Sequence, residues 1–211
     1  MPVVLLVRHG QASFGADDYD VLSELGREQS AAVGAELARR ALRDPVAACG
    51  SLRRQRDTAT LALPGAEPVV DPRWDEYDHL ALLQRYTDPD ADNDGSSRSV
   101  QVLLDAALGA WVDDRDGTWP DFSGAAAAAL QELADSLQKG SDAVVFTSGG
   151  IVAAVCAGLL GLGSAGVVAL NRVTANGAIT KLVVGRGGVS LVSFNDHAHF
   201  EGEARELLTY R

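Results

Sequence analysis

The stretch Val3-Val4-Leu5-Leu6-Val7-Arg8-His9-Gly10-Gln11 decides how the rest of the chain reads. Five apolar residues in a row, without alternation, stand between Pro2 and Arg8. Such a run predicts a strand buried on both faces, and therefore a sheet with helices on each side. The strand then breaks into a cation, an imidazole and a glycine. In open α/β sheets ligands bind beyond the carboxyl ends of the strands. The same stretch thus predicts both the layer architecture and the place for chemistry. A histidine between Arg8 and Gly10 can act as nucleophile or general base, or it can be a structural residue bonded to backbone. Neighbouring cations favour its neutral form, which is the nucleophilic one.

Helical periodicity follows Ser23, with Leu25, Val33, Leu37 and Leu42 on or near one face. Ser23 is the predicted N-cap and Pro45 the stop. Val46 to Cys49 is a second short apolar run, Arg54 to Leu63 a short helix ended by Pro64, and Val69-Val70 a brief strand. Ala125 to Leu137 is alanine-rich, with Leu130, Leu133 and Leu137 on one stripe, and reads as a helix. Ala143 to Phe146 is a third buried strand, and Thr147-Ser148-Gly149-Gly150 turns tightly into an apolar helix, Ile151 to Leu160. Ile179 to Val184 and Val189 to Phe194 read as a hairpin around Gly185-Arg186-Gly187-Gly188. The tail after Asn195 is polar. The fold expected is an α/β, three-layer α/β/α sandwich around a mostly parallel mixed sheet.

Residues 1–211 are expected to form one domain, with an insertion at about 73–120 that caps one side. Trp74, Trp111 and Trp119 lie in it and are assigned to packing. Val100, Leu103, Leu104, Ala107, Leu108 and Trp111 have helical spacing there. The acidic run from Asp88 to Gly95 lacks the terminal glutamate of a calcium loop and reads as a solvated loop.

The 18 basic and 29 acidic residues give a net charge of −11. So acidic a chain argues against sequence-independent nucleic-acid binding and against anionic membranes. No apolar stretch approaches the roughly 20 residues of a membrane span. Cys49 and Cys156 lie among small apolar residues and read as buried free thiols, which leans towards a cytoplasmic setting. Asp196, His197 and His199 lack a zinc-like spacing, and no metal is assigned to them.

Three strand ends together carry the equipment of an oxyanion site: Arg8-His9-Gly10-Gln11, Gly50-Ser51-Leu52-Arg53-Arg54 and Thr147-Ser148-Gly149-Gly150. Guanidinium forks match phosphate oxygens, and a glycine-rich helix start adds N–H donors. There is no glycine-lysine phosphate loop and no dinucleotide glycine fingerprint after the first strand.

In this order and spacing the motifs resemble the histidine phosphatase superfamily, the phosphoglycerate mutase-like proteins. The likeness runs through Arg8-His9-Gly10, Leu22 to Gln29, Leu52 to Ala59, Trp74-Asp75-Glu76-Tyr77, Asn171, and Ser193-Phe194-Asn195-Asp196 leading to His199. The resemblance implies His9 as the phosphorus-attacking nucleophile and Arg8 and Arg54 as its phosphate clamps. It implies Glu76 as the acid/base. In the family's second arginine motif the arginine lies four residues before the threonine, so the resemblance, with Thr58 as that threonine, selects Arg54 over Arg53 and Arg56. The implied activity is metal-independent hydrolysis of a phosphate monoester through a phosphohistidine, with a small phosphorylated substrate and no cofactor. Mutase-type phosphoryl transfer, or a weakened phosphate-binding protein, are the alternatives. A homodimer is the assembly carried with this reading.

Two positions depart from the family pattern. Ser148 stands where the family places a second histidine, so a hydroxyl replaces a charged donor. Ser148→His is therefore expected to raise turnover. Gly15 stands where an asparagine is usual, and Gln11 or Ser13 is expected to make that substrate contact, with Ser148 and Gly149 completing the phosphate pocket. His79 is a second candidate to enter the site, against the reading of a surface residue on the cap.

Overall fold

A computed structural model describes residues 1–13, 20–88 and 96–210. Among them one six-stranded sheet has the order β3-β2-β4-β1-β5-β6. Its strands are β1 (Val3–Arg8), β2 (Val46–Cys49), β3 (Val69–Val70), β4 (Ala143–Thr147), β5 (Ile179–Gly185) and β6 (Gly188–Asp196). The β3-β2, β2-β4 and β4-β1 pairs are parallel, and β1-β5 and β5-β6 are antiparallel. This is the mixed, mostly parallel sheet that the sequence predicts.

The helices are α1 (Glu24–Arg39), α2 (Arg53–Ala62), α3 (His79–Tyr86), α4 (Ser97–Asp113), α5 (Trp119–Ser136), α6 (Gly149–Leu160) and α7 (Ser164–Val173). β1 shows why its apolar run cannot alternate. Val4 and Leu6 pack with α5 and α6, while Leu5 and Val7 pack with α1 and α2. Cys49 and Cys156 are free and buried, on opposite sides of the sheet. A third apolar cluster joins α3, α4, α6 and α7, with Trp111 and Trp119 in T-shaped contact beside Tyr77 and Phe122. The tryptophans thus pack, as expected. Among the described residues no helix is long and apolar enough to cross a membrane.

Several boundaries differ from the sequence reading. Ser23 does cap α1, accepting from the Gly26 N–H at 3.0 Å. The helix nevertheless stops at Arg39, and Leu42 packs onto the same core from a turn with Ala41 and Asp44 at positive φ. The alanine-rich helix begins at Trp119 rather than Ala125. Pro120 falls in its first turn, where a missing N–H goes unnoticed. Residue 120, the expected end of the insertion, therefore lies inside α5. The helix α6 starts at Gly149, two residues before the expected Ile151. The polar tail folds into two short 3₁₀ turns, Ala198–Phe200 and Gly202–Leu207, and buries Phe200 completely. The acidic loop falls largely on residues 89–95 and Gly15 on residues 14–19, outside the described residues.

Candidate active site

β1 and β4 are neighbours with Arg8 in register with Thr147, so His9 and Ser148 emerge side by side from the sheet. The His9 N–H donates to the Thr147 carbonyl at 2.8 Å. Gly10 follows because α1 crosses directly over it. A Cβ at Gly10 would run into the Gly26 carbonyl, and one at Gly26 into the Gln11 backbone. The Leu22-to-Gln29 segment therefore has a mechanical role, which is to press the first strand end into shape.

His9 is buried, and both ring nitrogens are assigned by their neighbours. Arg54 Nε, which can only donate, lies 3.1 Å from His9 Nε2. Nε2 must accept, so the ring hydrogen is on Nδ1 and is donated to the Gly10 carbonyl at 2.7 Å. Burial, then the charges of Arg54 and Arg8, hold the imidazole well below its ordinary pKa of 6.5. His9 is thus a neutral imidazole with its Nε2 lone pair turned towards the cations.

Arg54 is buried on α2, whereas Arg53 and Arg56 on the same helix are exposed. Its Nη1 donates to Asp20 Oδ1 at 2.8 Å. Asp20 also receives the Arg53 N–H at 2.7 Å, capping α2 from 33 residues upstream. Arg8 is fixed by two carbonyls, those of Thr174 and of Tyr210, the latter at 3.1 Å. Its Nε lies next to Gly149 at the start of α6.

Glu76 reaches the same helix start. Its Oε2 accepts the Gly150 N–H at 3.1 Å, and its Oε1 the Tyr77 N–H at 3.3 Å. A Cβ at Gly150 would collide with this carboxyl group and with the Tyr77 ring. Burial raises the Glu76 pKa above the ordinary 4.5, against the opposing pull of the Gly150 N–H, Arg8 and Arg54. The carboxyl is thereby biased towards its protonated, donating form. Asn171 on α7 donates to the Tyr77 hydroxyl at 3.3 Å and stands against Gly149, closing this side.

The remaining sequence candidates divide. Ser148 is fully buried at the N-cap of α6, and Gly149 adjoins Arg8. The Gln11 side-chain oxygen receives the Ser23 hydroxyl at 2.9 Å, so this amide is engaged at the start of α1. Ser13 is tied through its backbone N–H to the Val21 carbonyl at 2.7 Å. His79 opens α3 and is partly buried. Asp196 is paired with Arg40 at 2.7 Å, and His199 Nε2 donates to the Gly177 carbonyl at 3.1 Å.

Sequence reasoning missed Asp20, Gln55 and Asn176. Asp20 is one acid among several in a loop, and nothing local marks it as the partner of Arg54. Asn176 is fully buried and donates to the His9 carbonyl at 3.4 Å. Gln55 is fully buried one residue beyond Arg54.

A family model of the histidine phosphatase superfamily (branch 1) matches residues 4–197. No curated protein sequence matches the chain. Among solved structures, a mycobacterial glucosyl-3-phosphoglycerate phosphatase with VO3 is 24% identical with a TM-score of 0.66, covering 93% of this chain and 100% of its own. A structure described as mycobacterial hydrolase 1 is 23% identical with a TM-score of 0.67, covering 93% and 99%. A phosphoserine phosphatase from Entamoeba histolytica, in complex with phosphoserine, is 17% identical with a TM-score of 0.63, covering 94% and 99%.

Proposed function

The chain belongs to the histidine phosphatase superfamily, and from that membership and the site geometry we propose that it hydrolyses a phosphate monoester of a small metabolite. The observation that carries the proposal is the state of His9: a neutral imidazole, hydrogen fixed on Nδ1, with Nε2 directed at Arg54.

In the proposed reaction the Nε2 lone pair attacks phosphorus in line with the leaving oxygen. Arg54 gives up its contact with Nε2 and, with Arg8, takes the equatorial phosphoryl oxygens. The bond from phosphorus to the alcohol oxygen breaks, and Glu76 supplies its proton to that oxygen. The phosphohistidine is then opened by water. Glu76, now a carboxylate, accepts a proton from the water as its oxygen bonds to phosphorus, the phosphorus–nitrogen bond breaks, and His9 returns to its starting form. Gln11, Ser13, Ser148 and Gly149 are proposed to contact the bound substrate. The guanidinium groups provide the positive charge in this scheme, so no metal or cofactor is invoked. The net charge of −11 argues against nucleic acid and anionic membranes as partners, and a small anionic substrate is compatible with it because the basic groups are local. The proposed setting is the cytoplasm, and the proposed assembly a homodimer.

Phosphate release from an aryl phosphate, with chelator present and His9→Ala as control, tests the proposal. Chelator-insensitive turnover that vanishes in His9→Ala is expected, together with a phosphoenzyme that survives base and is lost in acid. Turnover retained by a folded His9→Ala protein overturns the phosphohistidine route.

A further inference from the structure

Gln55 is fully buried one residue beyond Arg54, and its amide makes contacts that fix its orientation. Nε2 lies 2.9 Å from the Trp74 carbonyl, which can only accept. The same nitrogen lies 2.8 Å from Ser148 Oγ. Oε1 takes the Leu52 N–H at 3.3 Å. Reversing the amide would set oxygen against the Trp74 carbonyl, so both N–H groups are committed and the Ser148 hydroxyl must be the acceptor in their contact. Gln55 is the one hydrogen-bond partner of Ser148 Oγ among the described residues. The hydroxyl hydrogen is thus directed away from Gln55, in a fully buried group, beside His9 at the ends of two parallel strands. A buried donor of this kind is costly unless it meets an acceptor.

We propose that Gln55 is a positioning residue that aims the Ser148 hydroxyl at a phosphoryl oxygen held by His9, Arg8 and Arg54. This rests on the phosphatase reading for its reaction, but its geometry concerns phosphate binding alone. The Trp74 carbonyl also receives the Thr147 hydroxyl at 2.7 Å, so the segment leading to Glu76 is fastened to the same unit. The arrangement also sets a condition on Ser148→His. An imidazole carbon in the place of Oγ would meet Gln55 Nε2 at 2.8 Å, inside van der Waals contact. A histidine at 148 requires Gln55 to be shortened as well.

The test is a double-mutant cycle read as affinity for inorganic phosphate by calorimetry, beside aryl phosphate turnover. Ser148→Ala is expected to weaken phosphate about tenfold or more, the value of a hydrogen bond to a charged group. Gln55→Met is expected to weaken it about three- to tenfold when Ser148 is present, and by nothing further in the Ser148→Ala background. Equal losses in both backgrounds would make Gln55 a packing residue and overturn the proposal. Gln55→Leu, which also removes the amide donor and adds no charge, repeats the cycle should the methionine variant fold poorly. Gln55→Ala/Ser148→His is expected to exceed Ser148→His in turnover, and the reverse order counts against the steric condition. A parent that binds phosphate with the coupled cycle but releases none from the ester leaves this proposal standing and removes the phosphatase reading. A parent that turns over with an uncoupled cycle does the opposite, and one that neither binds phosphate nor turns over removes both.

Discussion

At the level of single residues, His9 is set by its burial and by two cationic neighbours, which together outweigh the Gly10 carbonyl. Burial, Arg54 and Arg8 all oppose its protonation. An unfolded chain takes up a proton near pH 6.5 that the folded site refuses, so the unfolded state binds more protons below that pH. Stability contributed by His9 is therefore full above pH 6.5 and is lost as pH falls towards the depressed folded value. Urea unfolding of the parent and of His9→Asn from about pH 8 to pH 5 should show a steeper loss for the parent. Parallel curves would contradict the assigned neutral state. The Glu76 shift has the opposite sign. Its raised pKa keeps a proton on the folded protein above pH 4.5, which suits an acid that must donate to a leaving oxygen.

At the level of elements, the start of α6 is shaped by a missing side chain. Gly150 lets Glu76 and Tyr77 approach the helix where any Cβ would push them away. Gly150→Ala should leave inorganic phosphate binding within about threefold but lower turnover by about 10²-fold or more, the range of a general acid. The loss should be greater for an alkyl phosphate than for an aryl phosphate, because a poor leaving group depends more on protonation. Equal losses on both substrates would mean that the helix itself, not Glu76, had been disturbed. The sequence displays Gly149-Gly150 plainly, and it predicts a helix start there. It does not display that Glu76, from a segment 74 residues earlier, accepts the Gly150 N–H.

Across the whole molecule, the loop that carries His9 is held from below by the C-terminal segment. Phe200 is fully buried against Gly177, whose N–H donates to the Arg8 carbonyl at 3.1 Å. Gln29, buried on α1, donates to the Leu207 carbonyl at 2.6 Å and the Thr209 hydroxyl at 2.9 Å, and Tyr210 gives its carbonyl to Arg8. Phe200→Ala should cost about 3–5 kcal/mol in urea-measured stability, as a fully buried aromatic does. It should also weaken phosphate binding, because Arg8 loses its backing. A cost below about 1 kcal/mol would show that the tail is not part of the core.

The class of fold was legible in the sequence, and the candidate site groups were named there from the strand ends and from the family resemblance. The fold class is written locally, in a non-alternating apolar run between Pro2 and Arg8 that reads as a doubly covered strand, whereas the candidate site is read from several motifs in order and spacing and not from Arg8-His9-Gly10 alone. The choice of Arg54 over Arg53 and Arg56 came from the family motif that the segment resembles, and Arg54 is buried where the other two are exposed. The tautomer of His9, the Asp20 brace on Arg54, the Gln55–Ser148 pair and the docking of the tail became visible in the folded molecule alone. Each depends on groups distant in the chain whose value comes from contact and from exclusion of water. Phe200 looks isolated in a polar tail, and Gln55 looks like one more polar residue on an exposed helix. Burial gives both their meaning, and burial is a property of the folded whole.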